Sequence, residues 1–295
     1  MILLLRMRRQ KLQWGAKAMQ CKLSESFSSI LLLIALATPA SAKQLKYQMS
    51  CDLGKDTTQM RRANGSTVTL TFSKGMCNVS VLSPSGASIF NYSASDMQVF
   101  VGVGLMTDGN PDAVIQADTF NPYKLFIISL GEHPRLIKTI QNQYGFWLRD
   151  DCGGIRIWTW DGEFQGAPDL ADVYHNDLFV PDVVLGLQGN SLVDATPKCR
   201  AYFDEEIKGL ESQLSRSEIA RFRSNRISDE FRRGEIKGYI LKIVFCYLYT
   251  GQVKKAKQSL AEMWPPSDKE RIWSTILKLR SEGVLRQAGE KQPER

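Results

Sequence analysis

Histidine is scarce in this chain: His133 and His175 are the only two among 295 residues, and neither belongs to an H-E-x-x-H arrangement. A metal centre built on imidazole therefore has almost nothing to build with. The six cysteines include no C-x-x-C spacing, which removes the zinc ribbon and the thioredoxin-type redox pair. No G-x-S-x-G occurs, so the strained serine elbow of a Ser-His-Asp hydrolase is missing. Glycine follows no triplet repeat, and 43% apolar against 23% charged residues is too hydrophobic for a disordered chain. What these absences leave is a globular protein of one or two domains.

One apolar run stands out. Residues 28–37 are almost wholly apolar but shorter than a membrane span, and they are followed by Pro39 and the small-residue triplet Ala40-Ser41-Ala42. Basic residues up to Lys22 precede them. This is the pattern of a secretory signal, with a cleavage expected after Ala42. Met19 would begin a leader of ordinary length. No later apolar run reaches about eighteen residues, so no stable membrane span is expected after cleavage.

Removing residues 1–42 changes the charge argument. The whole chain carries +7, but six basic side chains and one acid leave with the leader, and the remainder holds 32 basic and 30 acidic residues. Nucleic acid is accordingly not an expected partner. The remaining charge is uneven: residues 43–200 carry 13 basic and 16 acidic side chains, residues 201–295 carry 19 and 14. The division expected is a signal peptide at 1–42, a strand-rich domain at 43–200 and a helical domain at 201–295.

Export gives the cysteines a purpose. Cys51, Cys77, Cys152 and Cys199 lie in polar or turn-like surroundings, where an oxidising compartment favours cross-links. Four cysteines allow three pairings; Cys51 with Cys77 and Cys152 with Cys199 is the expectation, although spacing does not choose among them. Cys246, inside an apolar helical stretch, reads as a small buried hydrophobe.

Between 43 and 200 the period is two. Residues 66–72 alternate polar and apolar side chains, Ser73-Lys74-Gly75 turns the chain, and 77–82 returns. Further strands are expected at 97–103, 113–116, 124–130, 135–140, 145–148 and 155–160, each bounded by Gly, Pro, Asn or Asp. Short strands without intervening amphipathic helices argue for an antiparallel sandwich or propeller-like arrangement. With the helices beyond residue 200, the fold class expected is α+β.

Two loops resemble each other: Thr107-Asp108-Gly109-Asn110-Pro111-Asp112 and Arg149-Asp150-Asp151-Cys152-Gly153-Gly154, both entering strands. About 60 residues around them resemble the FG-GAP or VCBS repeats of secreted bacterial proteins, whose loops hold calcium on alternating carboxylates. The resemblance would place Asp108, Asp112 and Asp151 as calcium candidates. Gly104, Met106 and Arg149 stand where further acids belong, so the expectation is of turns that keep the backbone shape.

Asp161, Glu163, Asp169 and Asp172 lie among aromatics in 158–177, the composition of a carbohydrate or glycosidase site, but their spacing singles out no acid–nucleophile pair. His133 and His175 read as surface residues. No catalytic residue and no cofactor are assigned.

After residue 200 the period becomes 3.6. Helices are expected at 203–214, 217–223, 235–249 and 253–263, and Ser267-Asp268-Lys269-Glu270 reads as a capping box for another. Arg221, Arg223 and Arg226 form a basic cluster that interleaved Glu218, Asp229, Glu230 and Glu235 make into an ordinary solvated face. The turn around Thr250-Gly251 resembles that of a tetratricopeptide hairpin, as a single unit. The function expected is a binding or structural component of the cell envelope, periplasmic or extracellular, with a protein or an envelope polysaccharide as partner. The alternative is a secreted hydrolase acting on polysaccharide or peptidoglycan.

Overall fold

The computed structural model describes residues 48–51, 55–105, 111–119, 122–167, 170 and 180–289. The expected signal and cleavage site lie outside them, as do Asp108, Asp169, Asp172 and His175. All described residues belong to one compact unit, Ser41–Arg295.

Among the described residues thirteen strands make three antiparallel sheets, and helices follow; the class is α+β. Sheet I is β2 (Thr57–Ala63), β3 (Ser66–Ser73), β4 (Met76–Leu82) and β5 (Ser88–Ala94). Sheet II places β1 (Gln48–Ser50) beside β6 (Asp96–Val103), then β7 (Asp112–Asp118), β8 (Tyr123–Ser129) and β9 (Arg135–Asn142). Sheet III is β10 (Phe146–Asp150), β11 (Ile155–Trp160), β12 (Asp182–Gln188) and β13 (Ser191–Asp194). Within each sheet consecutive strands are neighbours, apart from β1, because short turns leave an antiparallel return as the nearest partner. Asn64-Gly65 and Lys74-Gly75 both have positive φ, the two-residue turn whose twist suits a hairpin.

Alternation along the strands assigns the layers. Val68, Leu70, Val79 and Val81 of sheet I meet Ala113, Ile115, Phe126 and Ile128 of sheet II. The residues between, Val114, Leu125 and Ile127, point the other way into a second core with Ile157, Val183 and Leu185 of sheet III. The central strands β7 and β8 of sheet II are thus buried on both faces, at about 25 cal/mol for each Å² of apolar surface removed from water. Val101 and Val103 fall in different cores although they are two residues apart. Gly102, at φ +78, bulges the strand between them and inverts its facing.

The other face of sheet III, with Trp158 and Val184, packs on α1 (Arg200–Glu211) and α3 (Glu230–Tyr249) through Phe203, Ile207, Leu210, Ile243 and Cys246. α2 (Arg216–Arg223) and α4 (Val253–Met263) pack on α3, α5 (Lys269–Glu282) on α4, and α6 (Val284–Gln287) on α5 and β9. Gly251, at φ +79, closes α3, and Gln252 N–H returns to the Tyr247 carbonyl at 2.8 Å. The capping box read at Ser267 is not formed. Asp268 is the N-cap, because Asp268 N–H bonds back to the Pro265 carbonyl and a turn uses up Ser267. A capping box does occur at Ser215 and Glu218, opening α2.

Cysteine pairs stand at Cys51–Cys77 and Cys152–Cys199, and Cys246 is a buried free thiol. The first pair ties the end of β1, in sheet II, to β4 in sheet I. The second ties the turn after β10, in sheet III, to the start of α1. Each joins neighbouring layers.

Candidate functional site

Three places gather ionisable side chains, and each is built from residues distant in sequence. The first is at Asp161, which follows β11 and is fully buried. Tyr249 O–H, from the end of α3, donates to one carboxylate oxygen at 2.6 Å, and Val284 N–H, at the start of α6, donates to the other at 3.2 Å. A Cβ on Gly283 would overlap this carboxylate, so the α5–α6 junction can close on Asp161 only through glycine. Burial pushes the Asp161 carboxyl up to about 6, against hydrogen bonds from Tyr249 and Val284 that favour the anion. Burial, with Asp161 as neighbour, pushes the Tyr249 hydroxyl well above the usual phenol range. Arg280 of α5 lies over the Tyr249 ring at 5.3 Å. A carboxyl near 6 suits proton transfer, but this one has both oxygens engaged inside the protein. Glu163, another of the four acids named in the sequence, is exposed while Asp161 is buried.

The second place is Lys242, in the middle of α3. Its ammonium contacts Asp182 at 2.5 Å, the Val180 carbonyl at 3.1 Å and Glu206 at 3.6 Å. The Cys246 thiol donates to the other oxygen of Glu206 at 3.6 Å. Burial opposes the charge on Lys242, but Asp182 and Glu206 outweigh it and hold the ammonium above its ordinary range. Burial raises Glu206, with Lys242 pulling the other way; burial and then Glu206 raise the Cys246 thiol well above its ordinary value. A thiol so raised is a poor nucleophile. The arrangement is an ion-paired brace between β12, α1 and α3. Sequence reading passed over it, although a lysine within Ile240-Leu241-Lys242-Ile243-Val244 is itself a signal that an anion must be buried nearby.

The third place surrounds the second disulfide. Asp151 accepts from Trp158 Nε1 at 3.0 Å and pairs with Arg149 at 2.8 Å. The Arg149 guanidinium lies 4.1 Å from the Trp158 ring and 4.9 Å from Tyr202. Trp147 and Trp160 meet on the same face, 5.3 Å apart, and Tyr144 abuts Trp160 at 5.2 Å. Asp112, the other described calcium candidate, is fully buried at the start of β7, where it accepts from Leu105 N–H at 3.0 Å. Asp112 begins β7 of sheet II and Asp151 follows β10 of sheet III, each on protein partners. His133 is exposed between β8 and β9.

The outer face of sheet I is of another kind. Thr71, Asn78, Ser80, Asn91 and Ser93 line a shallow concavity of about 210 Å³ without a charged group. Ser93 O–H donates to Asn78 Oδ1 at 2.6 Å.

No family model, no curated protein and no solved structure matches this chain.

Proposed function

We propose that the protein is an exported binding or structural component of the cell envelope, working without catalysis. The observation that carries this reading is how the buried chemistry is used. Asp161, Lys242, Glu206 and Cys246 each bond to protein partners that join one element to another, and the cysteine pairs Cys51–Cys77 and Cys152–Cys199 do the same between layers. Cross-links of this kind suit an oxidising compartment, and no helix among the described residues is long and apolar enough to cross a membrane. The likeness of the loops near Asp112 and Asp151 to FG-GAP or VCBS repeats, and of the α3–α4 turn to a tetratricopeptide hairpin, belongs to the same proposal. The secreted hydrolase is the weaker reading, since burial of Asp161 and exposure of Glu163 separate two of the acids it would employ.

The test is affinity capture from envelope extract on immobilised protein, with mass-spectrometric and glycan analysis of what is retained. The proposal expects one envelope protein or polysaccharide to be enriched and competed away by soluble protein. Turnover of envelope polysaccharide by the purified chain, with nothing retained, would overturn it in favour of the hydrolase.

A further inference from the structure

In sequence, the arginines of α2 and the start of α3 are interleaved with acids, and that interleaving reads as self-neutralisation. The structure gives three of the four acids to a single arginine. Glu218 pairs with Arg232 at 2.7 Å, and Glu235 pairs with the same guanidinium at 3.1 Å. Asp229 is the N-cap of α3 and accepts from Arg232 N–H at 3.1 Å. One arginine therefore takes up three acids, counting the cap on its backbone. Arg216, Arg221, Arg223, Arg226 and Arg233 make no ion pair among the described residues, and Glu230 is the one acid of this segment left to face them.

The same corner holds the most exposed large hydrophobic side chain of the described residues. Phe231, in the first turn of α3, is 66% exposed. Its neighbour Arg232 bonds to Glu218 and to the Gln213 carbonyl, which fastens the start of α3, where Phe231 stands, beside the start of α2. On α2 the buried side chain is Phe222, while Arg216, Arg221 and Arg223 are exposed. Exposed phenylalanine costs free energy in water, and guanidinium groups around it suit anionic headgroups above an apolar layer. A soluble polyanion would satisfy the arginines but give Phe231 nothing to enter.

We propose that this corner, made of α2, the loop through Arg226 and the first turn of α3, docks on an anionic bilayer surface with Phe231 as the interfacial anchor. The protein then lies on the membrane without spanning it. The inference extends the envelope-component reading by naming the surface on which the protein sits. It needs no protein or polysaccharide partner, so it can fail while affinity capture succeeds, and the reverse.

The experiment is co-sedimentation of residues 43–295 with phosphatidylcholine vesicles, with and without phosphatidylglycerol at about one part in four. Binding is expected only to the anionic vesicles and should weaken steeply between about 0.05 and 0.5 M salt. Each arginine near such a surface contributes about fivefold in partitioning, so Arg221→Ala/Arg223→Ala/Arg226→Ala together should lower it by more than about tenfold. Phe231→Ala should lower it severalfold with the salt dependence unchanged. All four side chains are exposed, and unchanged melting curves would verify that the variants fold. No binding to anionic vesicles, equal binding to neutral ones, or a triple variant that binds like the parent overturns the proposal. So does Phe231→Ala without effect alongside full competition by soluble polyphosphate, which would make the corner a polyanion site.

Discussion

Asp161 is where the polar interior is most exposed to a change of conditions. Its folded pKa of about 6 lies above the ordinary 3.8, so between those values the folded chain holds a proton that the unfolded chain has released. Stability from this group is complete below the unfolded value and is lost as pH rises through about 6. A two-unit shift corresponds to about 3 kcal/mol. Asparagine fits the same space, accepting from Val284 N–H and donating to the Tyr249 oxygen, and it has no proton to lose. Asp161→Asn should therefore remove about 2 kcal/mol of the stability that the parent gains at pH 4.5 relative to pH 7.5, read from urea titrations at both values. An unchanged difference would assign the pH dependence to other groups. The acid itself was legible in sequence; its partners Tyr249 and Val284, 88 and 123 positions away, were not. Composition reports that a carboxyl exists, and only packing decides whether it faces water.

At the scale of elements, legibility followed the contrast between an element's two faces. Strands β3, β4 and β6 to β11 stood out because one apolar face alternates with a polar one, or because turn residues bracket them. The missed strands lack that contrast. β2, at a sheet edge, carries Met60, Arg61 and Arg62 into solvent, whereas β12 is buried on both faces and reads Val183-Val184-Leu185 without a period. Helix α3 starts at Glu230, five residues before its apolar pattern begins at Glu235, since the Asp229 cap and not hydrophobic contact sets its start. The disulfides act at this scale too. Cys152 and Cys199 are 47 positions apart and Cys51 and Cys77 are 26 apart, so closing these loops in the unfolded chain is worth about 4 and 3.5 kcal/mol by chain entropy. Cys152→Ser/Cys199→Ser should lower the unfolding free energy by about that larger amount, and adding reductant should then cost only the contribution of the remaining bridge. A double variant as stable as the parent would mean that the second bridge does not hold sheet III to α1.

At the scale of the molecule, three sheets and a helical layer are fastened to each other by long-range bonds: one disulfide between sheets I and II, another between sheet III and α1, and the ionic brace of Lys242 between β12, α1 and α3. Gln287 of α6 adds a pair of bonds to the Gln141 backbone in β9, at 2.9 and 2.6 Å. Such bonds hold the layers in fixed relation. The proposal that it is exported unites the leader, the cysteine pairs and the near-neutral charge that remains after residue 42. It is tested most directly by the intact mass and free-thiol count of the protein isolated from its own cells under denaturing, thiol-alkylating conditions. The account predicts a chain beginning at Lys43, with Cys246 as its one alkylated cysteine and with four more becoming alkylated after reduction. A chain that begins upstream of Lys43 with all its cysteines alkylated before reduction would contradict it.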